Sequence, residues 1–261
     1  MPVLSRIAPT PSGFIHKGNA FNFLLTWEWV KRFGGKVFLR IDDLDVARCR
    51  EEYLRDIFEV MALLKIEFDG PSGVEDFQKN FTQSKNRSFY DASIEKLWGQ
   101  NALYACECSR KQILERSPSG VYPGTCREKK LKPTENRSLR FRSSGELKQS
   151  MGDFVVRQKG GAPAYQIVSV CEDSKSGVNL IVRGEDLRES TLAQQALAHA
   201  LGLEGFLKAR VIHHPLLLDA HGEKLSKSTS KEPYLPPAKR WDLSQLKDAV
   251  GSWMEMYGDQ G

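Results

Sequence analysis

The chain has 261 residues, 40% of them hydrophobic and 27% charged, which is ordinary for a folded globular protein with a sizeable core. Its net charge of +5 is modest, no run of about 18 apolar residues occurs, and no basic segment followed by an apolar run opens the sequence. These features exclude a membrane-spanning helix and a secretory signal as interpretations. We therefore expect a cytoplasmic, monomeric protein with no membrane partner, built as one large domain with one insertion.

The first part of the chain predicts the order strand, helix, strand, helix, which is how a parallel α/β sheet begins. The predicted strands cover residues 3–7 and 36–41, and the predicted helices cover residues 19–33 and 51–64. Gly34 and Gly35 are expected to end the first helix.

Between residues 104 and 148 the periodic pattern gives way to Cys, Pro, Gly and basic residues, which indicates an insertion. Residues 105–148 contain eleven Lys or Arg and five Glu, so this segment alone exceeds the net charge of the whole chain. A basic segment beside a nearly neutral body suits a polyanion such as RNA, and a solvated lysine-rich surface is the alternative.

After the insertion, residues 153–157, 165–170, 178–182 and 211–218 predict further sheet segments. A helix is predicted over residues 191–201, with Ser190 as its N-cap and Gly202 at its end. The predicted organisation has four parts: 1–103, first half of the catalytic domain; 104–148, the insertion; 149–232, the second half; and 233–261, a short tail.

Two short signatures point to phosphate chemistry. The first, RIAPTPSGFIHKGN, runs from Arg6 to Asn19 between a strand and a helix, where free N–H groups and the helix dipole favour anions. His16 could donate to phosphate oxygens there, and Gly18 would let the backbone approach a nucleotide. The second is KLSKS, residues 224–228, whose two lysines could close over a triphosphate and stabilise departing pyrophosphate. Taken singly, a structural histidine and a flexible basic loop are the plainer interpretations.

The five cysteines are odd in number, and three of them lie within twenty-one positions, which favours reduced thiols and a metal over disulfides. Three thiolates and a phenolate could complete a tetrahedral zinc site. The four donors are Cys106, Cys108, Tyr122 and Cys126. With no position left open for water, the role of this zinc would be structural.

The sequence resembles class I aminoacyl-tRNA synthetases over most of its length, from about Arg6 to Lys227. The first signature resembles their HIGH region, and KLSKS resembles their KMSKS loop. The form R-x-A-P-x-P-x-G, the strand KVFLRIDDLD, and GDFVVRQKGGAPAYQIV with IVRGEDL are similar to the glutamate branch. The resemblance implies an α/β fold, a Rossmann-like class I synthetase catalytic domain.

Within that branch, the C-x-C…Y-x-x-x-C insertion and the absence of an anticodon-binding half are similar to a truncated group of paralogs. That similarity implies a zinc-bearing insertion, no anticodon-binding domain, and transfer of glutamate to the queuosine of tRNA(Asp). It also implies ATP, Mg²⁺ and Zn²⁺ as cofactors.

The resemblance assigns site residues by matching positions. Arg6 and Arg183 would hold the substrate carboxylates through planar, charge-assisted hydrogen bonds. Thr10 would offer a hydroxyl, and Asp42 would bind the substrate ammonium. The glutamate set is Arg6, Ala8, Thr10, Asp42, Tyr165, Ser169 and Arg183, and the ATP set is His16, Gly18, Asn19, Lys224 and Lys227.

Alternatives remain at three points. Asp42 stands where the glutamate branch usually has Glu, and glutaminyl enzymes carry Asp there, but a neutral amide could not pair Arg183. Arg6 and Arg183 could instead form ordinary salt bridges with Asp42 or Glu185. The acceptor could also be a tRNA 3′ end, a carrier protein or a small molecule, or the chain could be a non-catalytic paralog that binds RNA or adenylates.

Overall fold

The computed structural model describes residues 2–216 and 235–257. Its chain divides into two compact units. Unit 1 comprises Met1–Lys85, Val178–Asp186 and Ala209–Gly261, and unit 2 comprises Asn86–Gly177 and Leu187–Lys208. The four domain boundaries expected from the sequence stay predictions.

The described residues form seven strands and eleven α-helices, three of which have only three or four residues. The strands are β1 (Leu4–Ile7), β2 (Lys36–Leu39), β3 (Leu103–Cys106), β4 (Ser138–Phe141), β5 (Val155–Arg157), β6 (Leu180–Gly184) and β7 (Arg210–His214). The helices are α1 (Lys17–Arg32), α2 (Glu51–Leu63), α3 (Val74–Asp76), α4 (Arg87–Gly99), α5 (Arg110–Arg116), α6 (Gly145–Ser150), α7 (Tyr165–Lys175), α8 (Arg188–Leu201), α9 (Glu204–Leu207), α10 (Pro237–Arg240) and α11 (Leu243–Tyr257). Among these helices, none combines the length and apolar character needed to cross a membrane.

Unit 1 is built on parallel strands, as the sequence predicts. β1 pairs in parallel with β2, and β6 pairs in parallel with β7. Hydrogen bonds between Asn179 and Leu4 hold the two pairs side by side. The Asn179 N–H donates to the Leu4 carbonyl, and the Asn179 side-chain Oδ1 accepts a hydrogen bond from the Leu4 N–H. Parallel strands need crossover connections, and helix α1 supplies the one between β1 and β2.

The core of unit 1 is apolar and includes the end of the described chain. Trp29 of α1 is buried, and its ring lies 5.4 Å from that of Trp253 on α11. Leu246, Val250 and Trp253 are spaced to lie on one face of α11, and all three are buried in this core. The segment predicted only as a short tail therefore contributes a helix to the core.

Unit 2 contains an antiparallel sheet in the order β3, β4, β5. The predicted insertion begins on β3 and returns on β4. Helices α4, α7 and α8 pack together beside it, and Glu172 of α7 accepts hydrogen bonds from Tyr90 and Asn86. The Tyr90 ring is fully buried, so this carboxylate is held by a polar network inside the unit.

Two local predictions are wrong. Residues 165–170 were expected in a strand, but they open helix α7, because a short apolar run such as Ile167–Val170 suits a buried helix face as well as a strand. Helix α8 begins at Arg188, so Ser190 lies inside it rather than at its cap. Its predicted end is confirmed, since Gly202 caps the C-terminus of the helix with a φ of +70°.

Candidate active site and metal centre

The turn between β1 and α1 is organised by His16. Its backbone is extended and caps α1, and its Nδ1 accepts hydrogen bonds from the N–H groups of Gly18 (3.1 Å) and Asn19 (3.3 Å). Because Nδ1 is an acceptor, the ring carries its proton on Nε2, which is the atom that can donate to a phosphate. A Cβ on Gly18 would lie 3.1 Å from the imidazole, so a glycine at this position leaves room for the ring.

A buried ion pair fixes the residue before His16. Asp56 of α2 accepts the N–H of Ile15 at 2.7 Å and pairs with the Arg240 guanidinium. Arg240 also donates to the Ile15 carbonyl at 3.1 Å. The Asp56 carboxylate is fully buried and the Arg240 side chain is nearly so. The sequence does not reveal this pair, because the two residues lie 184 positions apart.

Two of the predicted carboxylate-binding residues lie on strands of unit 1 that are neighbours. Arg6 is on β1 and Arg183 on β6, and both are buried. Ala8 and Thr10 follow β1 and are half-buried. Buried guanidinium groups at adjacent strand ends are suited to dicarboxylate recognition.

Asp42 follows β2, and its N–H donates to the Pro9 carbonyl at 2.9 Å, which places it against the first signature. Its carboxylate has a partner that the sequence did not reveal. Arg40 donates from Nε to Oδ1 at 2.7 Å and from Nη2 to Oδ2 at 3.1 Å, a two-point ion pair. Gln83 donates its amide to Oδ1 at 2.9 Å.

The remaining predicted site residues fall elsewhere. Tyr165 and Ser169 lie one turn apart on α7 in unit 2, where Tyr165 is exposed and Ser169 is buried. Lys224 and Lys227 lie outside the described residues.

The four predicted metal donors come together in unit 2. The Sγ atoms of Cys106, Cys108 and Cys126 lie within 4.8 Å of one another, and those of Cys108 and Cys126 are 3.6 Å apart. The Tyr122 hydroxyl lies 3.2 Å from Cys106 Sγ and 3.8 Å from Cys108 Sγ. Tetrahedral zinc with Zn–S of about 2.3 Å requires S···S separations of about 3.8 Å, and slightly less to an oxygen. The side chains therefore fit this ion.

Local backbone features explain how the donors meet. Cys106 ends β3, and Ser109 begins α5 with a capping box directly after Cys108. Tyr122 pairs with Gly152, whose φ is +70° and where a Cβ would lie 2.9 Å from the Tyr122 carbonyl. Only glycine suits that approach. The Cys126 N–H then donates to the Tyr122 hydroxyl at 2.9 Å.

A positive charge lies against the cluster. The Arg140 guanidinium lies 3.8 Å from the centre of the Tyr122 ring and donates to the Asp153 carbonyl at 2.7 Å. Among the described residues, Arg140 is buried without a carboxylate partner. A buried cation needs a counter-charge, and a metal-thiolate cluster would supply it.

The pKa shifts agree with that environment. Burial raises the pKa of Cys106, but hydrogen bonds from Tyr122 and Arg140 outweigh it and lower the pKa below its ordinary value. Burial raises the pKa of Tyr122 well above its ordinary value, and its hydrogen bond with Cys106 adds to this. Without an ion the phenol is thus protonated, and a metal would have to displace that proton.

A second polar network braces the cluster. Asp153 is buried and accepts hydrogen bonds from Tyr104 (2.6 Å), Arg127 (2.6 Å) and the Ser143 N–H (2.9 Å). None of these contacts has a sequence signature, because aspartate and arginine in a basic segment resemble surface residues until their partners are known.

Comparison with known proteins assigns the chain to a family. The family model described as tRNA synthetases class I (E and Q), catalytic domain, matches residues 2–141 and 141–242. A glutamyl-Q tRNA(Asp) synthetase of Synechococcus sp. (strain CC9605) is 36% identical over 85% of this chain and 72% of its own. One from Ectopseudomonas mendocina (strain ymp) is 34% identical over 88% of this chain and 79% of its own.

Among solved structures, a glutamate-tRNA synthetase from Elizabethkingia anophelis has the same fold, with a TM-score of 0.72 at 21% identity. The match covers 92% of this chain and 57% of that one, so the chain spans little more than half of that protein. By family model and by relatives, the chain belongs to the class I tRNA synthetases for glutamate and glutamine, a family of ligases, and within it to the glutamyl-Q tRNA(Asp) synthetases.

Proposed function

We propose that the chain activates glutamate with ATP and transfers it to the queuosine of tRNA(Asp). The observation that carries the proposal is the pair of buried arginines, Arg6 and Arg183, on neighbouring strands beside the His16-capped helix. Cationic carboxylate binders next to an anion-attracting helix start are what an acyl-adenylate-forming site requires. The names of the relatives support the choice of acceptor.

In the first reaction a glutamate carboxylate oxygen attacks the α-phosphorus of ATP, and the bond to pyrophosphate breaks. Arg183 and Arg6 hold the substrate carboxylates, and Asp42 faces its ammonium. His16 donates from Nε2 to phosphate oxygens. Gly18 and Asn19 form the first turn of α1, against which the nucleotide would lie. Lys224 and Lys227 neutralise charge on the departing pyrophosphate, and Mg²⁺, when bound, shields the phosphates.

In the second reaction a queuosine hydroxyl attacks the carbonyl carbon of glutamyl-adenylate, and AMP leaves. The enzyme needs no covalent nucleophile, because it positions the reactants and stabilises developing charge. Glutamate is favoured over glutamine because a neutral side-chain amide could not form an ion pair with the Arg183 guanidinium. Tyr165 and Ser169 stay members of the glutamate set that the resemblance predicts. We propose that the enzyme acts as a monomer in the cytoplasm.

The insertion, residues 104–148, is proposed to bind zinc through Cys106, Cys108, Tyr122 and Cys126 and to contact tRNA phosphates with its basic side chains. The tetrahedral fit of the donors and the buried Arg140 beside them support the metal. Its role would be to stabilise the insertion.

The test is incubation with labelled glutamate, ATP and total tRNA prepared with or without queuosine. We expect label only on the queuosine-containing tRNA. Equal labelling of both preparations would favour a conventional acceptor. Absence of glutamate-dependent ATP–pyrophosphate exchange would favour the non-catalytic paralog instead.

A further inference from the structure

Gln83 is held by two aspartates that follow β2. It begins a 3₁₀ turn after a π-helical turn, Phe77–Phe81, and its side chain is buried, at 2% exposure. Its N–H donates to Asp43 Oδ1 at 2.8 Å, and its side-chain Nε2 donates to Asp42 Oδ1 at 2.9 Å. π-Helical turns are found frequently at functional sites. Two hydrogen bonds therefore hold Gln83 beside Asp42, the predicted ammonium-binding residue.

The orientation of the Gln83 amide follows from its partner. An ionised carboxylate only accepts hydrogen bonds, so Nε2 must face Asp42 and Oε1 must face away. Within residues 2–216 and 235–257, the buried Oε1 has no hydrogen-bond partner. A buried acceptor left unpaired costs free energy, and such an exception calls for a donor that binds there.

Asp42 alone is a weakened ammonium site. Arg40 occupies both carboxylate oxygens and compensates their charge, and Gln83 adds a third hydrogen bond. An ammonium group carries three N–H donors and needs several acceptors. A second acceptor beside Asp42 would complete its recognition.

We propose that Gln83 is a specificity-determining residue, whose Oε1 accepts a hydrogen bond from the substrate α-ammonium next to Asp42. This inference rests on the proposed function, since it requires an amino acid at Asp42. It explains why the amide is buried with its oxygen unpaired. It also predicts discrimination against dicarboxylates that lack the amino group, because they leave Oε1 unpaired.

The experiment compares Gln83→Met with wild type in glutamate-dependent ATP–pyrophosphate exchange, in the presence of total tRNA. Glutarate, which is glutamate without its amino group, serves as a competitive inhibitor. Gln78→Met is the matched control, because Gln78 is an exposed residue of the π-helical turn that precedes Gln83. We expect Gln83→Met to raise the KM for glutamate about tenfold or more, as loss of a hydrogen bond to a charged group does. The KM for ATP and the inhibition constant of glutarate should stay unchanged.

Each other outcome overturns the inference. A KM for glutamate close to wild type would show that Oε1 does not contact the ammonium. Equal weakening of glutamate and glutarate would show that Gln83 only supports the shape of the site. If wild type shows no glutamate-dependent exchange, the proposed function fails and this inference fails with it. If wild type is active, either of the two results above overturns this inference alone and leaves the proposed function standing. Should Gln83→Met unfold at the assay temperature, Gln83→Asn, which withdraws the acceptor by one methylene, is judged by the same criteria.

Discussion

The metal centre and the candidate active site differ in how far apart their residues lie in the chain. The four metal donors fall between Cys106 and Cys126, on one strand end and the loops that follow it. The candidate active-site residues run from Arg6 to Lys227 and come from several strands and helices. A short motif therefore specifies the metal cluster almost by itself, while the active site depends on long-range topology and on braces such as Asp56 with Arg240.

The strongest test of the local cluster is Cys106→Ser. We expect wild type to carry about one zinc per chain and the variant to lose most of it, because a thiolate is replaced by a poor ligand. Unit 2 should become less stable, since structural zinc contributes folding free energy. Metal analysis and thermal unfolding measure both effects.

Cys171→Ser is the matched control, because Cys171 is a buried thiol outside the cluster. It should keep its zinc. A wild-type protein that is metal-free and loses no stability in Cys106→Ser would contradict the proposed site.

For the long-range site, Arg240→Met removes one partner of a buried ion pair. Among the described residues, the Asp56 carboxylate would stay buried with the Ile15 N–H as its remaining hydrogen-bond donor, so we expect the free energy of unfolding to fall by about 3–5 kcal/mol. Chemical denaturation measures this. Adding Asp56→Asn should restore part of the loss.

Arg55→Met is the control, because Arg55 pairs with Glu51 on the surface of α2. It should change stability by less than about 1 kcal/mol. Similar losses in both variants would mean that the brace is no stronger than a surface pair.

Lys227→Ala tests the role of the KLSKS segment in adenylate formation. We expect adenylate formation to slow about a hundredfold, as loss of a transition-state charge donor typically does. Glutamate binding should change much less. Single-turnover kinetics measure the step, with Lys231→Ala as a control for charge alone, and an unchanged rate would exclude the assigned role.

The smallest effect concerns pH. Burial lowers the pKa of His214, although its hydrogen bond with Pro215 and the charges of Asp186 and Glu185 act in the opposite direction. In the unfolded chain this histidine takes up a proton near pH 6.5, about the ordinary value for the residue, while in the folded chain it does so only at lower pH. The stability that neutral His214 provides is thus present above this pH and lost as the pH falls.

His214→Gln should flatten the dependence of unfolding free energy between about pH 7 and pH 5. His199→Gln, at an exposed position of α8, should leave it unchanged. Equal slopes in wild type and His214→Gln would show that this histidine does not contribute.

These contrasts also explain what could be predicted from the sequence. The family, the α/β class, helix α1 and the clustering of three cysteines are confirmed, because each depends on a motif or on local periodicity. Helix α7 was missed because its apolar run is ambiguous without knowledge of packing.

The ion pair of Arg40 with Asp42 and the hydrogen bond from Gln83 were missed for another reason. Arg40 is only two residues from Asp42, but spacing alone does not show that their side chains pair. For Gln83, the contact depends on how the chain folds back after α2. Such braces become visible only in three dimensions, and they determine how Asp42 can meet a substrate.

The central claim, transfer to queuosine of tRNA(Asp), is tested most directly by locating the glutamyl label on the RNA. The account predicts an alkali-labile ester on queuosine that survives removal of the 3′-terminal adenosine. Label that disappears with that adenosine would contradict it and show conventional charging of the 3′ end.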